Sequence, residues 1–290
     1  TVILNKFGNY FHEISNPVVN ERDASLRSKY KNLRACYDSS FFVPTDITVE
    51  QISNIVDHLK RGKASGSDGV SPEHVKFCHP SIYCILTKLF NWCLLVSHVP
   101  DSFCESYTVP IPKGGAGAAN RIAHCSDFRG IAISSTFSKI FESCVLRIYS
   151  RYLETDDCQF GFKKGIGCSH AIYTAKQVIK GYLKGGDTAH VAAIDIAKAF
   201  PRVNRDALLA ALIKRNVPVS FIDLIDEWMQ RSYSRVKWCN FISERYSLQT
   251  GVNQGSVLAP ALFSVVINDT IYLLVKLVIW ELLLSMRKMF

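Results

Sequence analysis

The chain has 290 residues, with 34 lysines and arginines against 25 aspartates and glutamates, for a formal net charge of +9. With 48% hydrophobic and 20% charged residues, it has a folded globular composition of one or two domains. Disordered, collagen-like, coiled-coil and low-complexity classes are excluded. The positive surplus points to a polyanionic partner, although solubility alone accounts for a bias of this size.

The ten cysteines include no Cys-x-x-Cys pair, and Thr1 to Asn9 carries no signal-peptide pattern. They read as reduced thiols of a nuclear or cytosolic protein, not a secreted one. His74, Cys78, His79 and Cys84 lie close together, but zinc sites favour two closely spaced ligand pairs and a second pair is missing. They are expected to hold no metal.

No repeat is visible. Residues 1–45 are mixed and polar and read as a connector from an upstream region, the sequence itself being read as a fragment. Thr48 and Gln51 form a capping-box pair ahead of Ile52, Ile55, Val56 and Leu59 at helical spacing. Gly62 is expected to end that helix. Gly62 to Gly69 reads as a tight loop, and Ser71-Pro72-Glu73 opens the next helix. An apolar helix is expected over Ile82 to Val96, closed by Pro100. Two prolines force Val109 to Lys113 into extended backbone, and Gly114 to Asn120 reads as a mobile loop.

In the second half, His190 to Ile196 is an apolar run of strand length that carries Asp195. A helix is expected from Asn204 to Arg215, stopped by Pro218. Another is expected to be capped by Ser220, with Phe221, Leu224, Ile225, Trp228 and Met229 on one face. Val236 and Trp238, then Tyr246, Leu248 and Thr250, suggest a two-stranded ribbon. Helices and strands mix without βαβ alternation, so the fold class is α+β.

Two features suggest chemistry. A carboxylate in an apolar strand, as at Asp195, is costly unless it is paired, hydrogen-bonded or holding a metal. Gln254 to Pro260 is a loop opening a helix, and Gly255 would let backbone approach a flat or extended object such as a nucleotide or template strand. Neither a Walker loop nor a Gly-x-Gly-x-x-Gly occurs.

An ordered set of blocks then carries a resemblance. Leu59 to Gly69, Pro110 to Lys113, Asp127-Phe128-Arg129-Gly130-Ile131, Ser138-Lys139-Ile140-Phe141-Glu142, Gln159-Phe160-Gly161-Phe162, Asp195 to Phe200, and Gln254 to Leu258 together resemble the reverse transcriptase domain of non-LTR (LINE-type) retrotransposons, over residues 5–270. The resemblance implies a right-hand polymerase fold, with fingers at 46–185, a partial palm at 186–270 and no thumb. It implies template-directed DNA synthesis on an RNA template with a DNA primer and dNTPs, two Mg²⁺ ions stabilising the attacking and leaving oxygens. Asp195 matches the first metal-binding aspartate. Phe200 matches the residue that rejects a 2′-hydroxyl, and Arg129 the fingers arginine that grips the triphosphate, with Lys113 a second candidate for that task. Gln254 and Gly255 match the loop lying against nucleotide and template.

The chain also departs from that family. Pro201, Gly130 and Ala259 stand where Asp, Pro and Ser are usual. The Tyr/Phe-Ala-Asp-Asp turn that completes the metal site does not occur within the 290 residues. The Asp156-Asp157 pair precedes Asp195 and lacks the Tyr-Ala lead. One aspartate is too few for two hard cations, so these residues alone are expected not to polymerise DNA. Residues 271–290 form a divergent apolar tail, in which Lys276 and Glu281 argue against a membrane span. The alternatives are a non-catalytic nucleic-acid-binding protein that keeps the basic surface of Lys60, Arg61, Lys63, Lys163 and Lys164, and, less favoured, a tail-anchored membrane protein. Oligomeric state is not legible.

Overall fold

The computed structural model describes residues 2–38, 46–113 and 124–269. The stretches read as a glycine-alanine loop and as an apolar tail lie outside them. In chain order the helices are α1 (Val2–Ser15), α2 (Glu21–Cys36), α3 (Val49–Asp57), α4 (Pro72–Lys76), α5 (Ser81–Val96), α6 (Asp101–Cys104), α7 (Thr136–Tyr149), α8 (Cys168–Lys184), α9 (Arg205–Lys214) and α10 (Val219–Arg231), and the strands are β1 (Glu105–Pro112), β2 (Phe128–Ser134), β3 (Tyr233–Trp238) and β4 (Phe241–Ser247). Residues 259–269 form a last helix, α11. The fold is α+β, as read from the sequence.

One mixed sheet runs in the order β2-β1-β3-β4. β1 pairs antiparallel with β2 and parallel with β3, and β3 pairs antiparallel with β4. The expected ribbon is therefore the β3–β4 hairpin, and its Leu248 and Thr250 lie just past the strand end. Across the inner face of the sheet runs a buried hydroxyl chain. Tyr246 OH donates to Thr108 Oγ1 (2.9 Å), Thr108 Oγ1 and Ser234 Oγ lie 2.8 Å apart, and Ser234 Oγ donates to the Ser106 carbonyl (3.0 Å). The hydroxyls of Tyr246, Thr108 and Ser234 thus each have a partner, which is what their burial requires.

The main core lies among the helices, around Phe90, Phe141, Leu208, Leu212, Phe221 and Leu224, and draws residues from Tyr30 to Val265. It spans both sides of residue 186, so the segments expected as fingers and palm share one core, and β1 and β3 share one sheet.

Several local expectations need correction. The connector at the N-terminal end is built into the fold. Leu4, Phe7 and Phe11 of α1 bury against Val236, Tyr246 and Leu248, and α2 starts at a capping box between Asn20 and Asp23. Polar residues between these sparse apolar positions hid both helices. His190 to Ile196 is not a strand: residues 187–196 have no regular structure, and Val191, Ile194 and Ile196 are exposed. A strand needs a neighbour to satisfy its backbone, and the described residues offer this run none. Helix α3 ends at Asp57, before Gly62. Helix α10 begins after Pro218, whose carbonyl accepts from the Phe221 and Ile222 amides, so Ser220 lies inside the helix instead of capping it.

A candidate active-site cleft

An open cleft of about 660 Å³ lies where α1, the β1–β2 end, the turn after residue 195 and the loop 250–254 converge. Its lining includes Lys113, Arg129, Asp195, Phe200 and Gln254. Five of the six residues singled out from the sequence therefore meet at one place, from segments as far apart in the chain as Lys113 and Gln254.

The turn carrying Asp195 is held from behind. Lys198 has a left-handed φ of 54°, and the Arg202 amide donates to its carbonyl (3.1 Å). The Val252 amide donates to the Phe200 carbonyl (3.0 Å) and the Gly251 amide to that of Val203 (2.8 Å). Gly251 has φ +81°, and a Cβ there would lie 2.6 Å from the Pro201 carbonyl oxygen, so only glycine permits this close approach. Asp195 is exposed on the cleft wall, and no hydrogen bond or ion pair reaches its carboxylate among the described residues. Phe200 is half-buried. It stacks on Phe263 of α11 (centroids 4.9 Å apart, 18° between planes) and meets Phe162 edge-on at 5.8 Å. These contacts fix its ring in place.

On the opposite wall, Lys113 is tethered: its Nζ donates to the Ser126 carbonyl (2.7 Å) and its amide to that of Asp127 (2.8 Å). Arg129 opposes Ile111 across β2 and β1 and is exposed. The Lys198 ammonium lies 5.0 Å from the centre of the Tyr10 ring. Its pKa is held below the usual lysine value, first by burial and then by the charges of Arg202 and Lys113. Cations thus gather in the cleft, an arrangement suited to an anionic ligand.

Gly255 does not line the cleft. Its φ is +135°, and a Cβ would stand 2.1 Å from the Ala132 carbonyl oxygen of β2. The Ala132 amide donates to the Gln254 carbonyl at 2.7 Å. The extended object that Gly255 lets the backbone approach is therefore strand β2.

Sequence reading missed three contributors. Glu142 on α7 is fully buried and accepts from Ser256 Oγ (2.6 Å), the Leu258 amide (2.9 Å), the Val257 amide and Ser138 Oγ (3.3 Å). It closes the free amides ahead of α11; burial pushes its pKa up, against the pull of those donors. The available signal was an acid among Ile140, Phe141, Cys144 and Val145. Lys198 was visible beside Asp195 but had no assigned task. Tyr10 and Phe11 of α1 enter the cleft, and Phe11 occupies the space over Gly130 where a Cβ would lie 2.7 Å from its ring.

For a metal, Asp195 is one hard oxygen donor, and the other charged side chains that line the cleft, Lys113, Arg129 and Lys198, are cationic. No cluster of three or more metal-ligating side chains occurs among the described residues. Two Mg²⁺ ions need several carboxylate oxygens, so these residues do not by themselves fit that pair. Nor is any helix among the described residues long and apolar enough to cross a membrane.

The sequence pattern of the family described as "Reverse transcriptase (RNA-dependent DNA polymerase)" matches residues 111–279, more than half of the chain. The chain belongs to the reverse transcriptase family. This reverse transcriptase chain is similar to the Drosophila melanogaster "Retrovirus-related Pol polyprotein from type-2 retrotransposable element R2DM", with 24% identity over 70% of this chain and 18% of that protein. It is also similar to the "Probable RNA-directed DNA polymerase from transposon BS" and the "RNA-directed DNA polymerase from mobile element jockey" of the same species, each 25% identical over 77% of this chain and 24% of the relative. These relatives bear out the resemblance to non-LTR retrotransposon reverse transcriptases. The chain spans at most about a quarter of their length.

Proposed function

We propose that the chain forms the nucleotide- and template-binding part of an RNA-directed DNA polymerase, with residues 46–185 as fingers and 186–270 as part of the palm. The observation that carries this reading is the convergence of Lys113, Arg129, Asp195, Phe200 and Gln254 on one cleft. In it, Arg129 and Lys113 bind the triphosphate of an incoming dNTP. Arginine suits this task because its planar fork meets phosphate oxygens in pairs and keeps its charge. Phe200, braced by Phe263 and Phe162, lies against the sugar, and Gln254 faces base and template. Gly255 serves by letting its loop dock on β2.

Asp195 is one ligand of a Mg²⁺ site whose other carboxylates are not among the described residues. That lone carboxylate also favours a second reading, in which these residues bind RNA and DNA without chemistry. Equilibrium binding of a fluorescent dNTP to the chain on a primer–template tests the first reading. Arg129→Gln should weaken binding at least about tenfold, the loss of one charge-assisted contact; unchanged affinity would remove the triphosphate role. In a polymerase-competent protein containing these residues, Asp195→Ala separates the two readings: the first predicts loss of primer extension, the second unchanged extension.

A further inference from the structure

The sheet has a second face, turned away from the cleft. Side chains alternate along a strand, so Thr108 and Tyr246 point to the cleft side, while Tyr107, Tyr233, Arg235 and Arg245 lie on the outer side. There Arg235 and Arg245 stand directly opposite each other across β3 and β4. Like charges in that position weaken a strand pair, and Glu105, 3.5 Å from Arg235 Nε, offsets only one of the two charges. The Arg245 guanidinium lies over the Tyr233 ring (5.6 Å to its centre) and the Lys237 ammonium over the Tyr107 ring (5.4 Å), so both cationic heads are held in place before any ligand arrives.

Among the described residues, two carboxylates border this face, and both are engaged. Glu105 lies 3.5 Å from Arg235 Nε, and Asp101 pairs with Arg231. Lys237 and Arg245 are exposed and have no ion-pair partner among the described residues. Arg235 and Lys237 are two residues apart on one strand, about 6.6 Å, which matches the rise of about two base steps along a duplex axis at about 3.4 Å each.

We infer that the outer face of the β3–β4 hairpin is a nucleic-acid docking surface, on which Lys237, Arg245 and Arg235 contact the sugar–phosphate backbone outside the catalytic cleft. A phosphate between Arg235 and Arg245 would turn their repulsion into shared attraction. Recognition is by backbone charge and is indifferent to sequence. This inference goes beyond the proposed polymerase role and does not depend on any cleft residue.

The test is fluorescence anisotropy of a labelled 20-nucleotide RNA–DNA hybrid titrated with the full chain at several KCl concentrations. Lys237→Gln with Arg245→Gln should bind about tenfold more weakly near physiological salt, and its plot of log affinity against log salt should be shallower by about one to two. A control that removes the same charge from α2, Lys29→Gln with Lys31→Gln, should match the wild type. The charge-keeping pair Lys237→Arg with Arg245→Lys should retain affinity, which separates loss of charge from loss of folding. Equal binding by the Gln pair and the wild type overturns the inference, as does an equal loss in the α2 control or no binding by the wild type. Arg129→Gln with Lys113→Gln reports the cleft separately: if dNTP binding ignores that pair while hybrid binding falls in the hairpin pair, the cleft reading fails and the docking surface stands.

Discussion

Glu142 shows how much one buried side chain can organise. Its carboxylate gathers two amides and two hydroxyls around the start of α11 and so fixes the loop that brings Gln254 into the cleft. Glu142→Ala leaves those donors buried without an acceptor. Each donor left buried without a partner costs about 1–3 kcal/mol, partly offset because the carboxylate no longer has to be buried, so the substitution should lower unfolding free energy by about 3 kcal/mol in urea titrations. Glu142→Gln, which keeps one oxygen, should lose less; a negligible loss in Glu142→Ala would mean that the carboxylate is not the organising group. Phe200 gives a functional counterpart. In a polymerase-competent protein containing these residues, Phe200→Ala should raise ribonucleotide incorporation, and an unchanged ratio of ribo- to deoxynucleotides would remove its sugar-facing role. Buried thiols can be read the same way. Burial pushes Cys93 to about 11 and Cys104 and Cys144 to about 12, so at pH 8 they stay protonated and unreactive. Alkylation of the native chain at pH 8 should label exposed Cys36, Cys78, Cys84, Cys158, Cys168 and Cys239 and spare those three until denaturant is added.

Among the elements, α1 matters more than its sequence suggests. Phe7 packs edge-on against Phe128 (4.9 Å) and beside Trp238 (5.1 Å), tying the helix to β2 and β3. The Ser15 carbonyl accepts from the Gln249 and Thr250 amides, tying it also to the loop behind the cleft. Phe7→Ala should cost about 3 kcal/mol by the cavity it leaves, whereas Val18→Ala, at an exposed position between α1 and α2, should change little; similar values for the two would argue against α1 as a built-in wall. Where apolar spacing and caps coincide, the elements were legible: Thr48 with Gln51 for α3, Asn204 for α9, and the prolines that hold β1 extended. Phe7 and Phe11 have helical spacing too, but their polar neighbours resembled a linker. The failure at His190 to Ile196 is of another kind, because an apolar run fixes burial preference and not the partner that makes it a strand.

At the scale of the whole molecule, the cleft was legible as a set of residues and not as a shape. Asp195, Arg129 and Gln254 drew notice through ordered blocks, yet only the fold brings them together, and only the fold adds Tyr10, Lys198 and Glu142. Gly255 was expected to let backbone approach a nucleotide or template strand, and the group it approaches is the Ala132 carbonyl of β2. With one carboxylate at the site, residues 1–290 should not extend a DNA primer on an RNA template with Mg²⁺, although they should bind that primer–template; measurable extension would show that a metal site forms without a paired-aspartate turn. On this reading the cleft holds the nucleotide. Irradiating the chain with a photoreactive azido-dATP on a primer–template, then mapping the labelled peptides, tests it directly. Label on peptides carrying Lys113, Arg129, Phe200 or Gln254, suppressed by excess dATP, is the predicted result. Label confined to α2 or α8, or label that excess dATP does not displace, would contradict it.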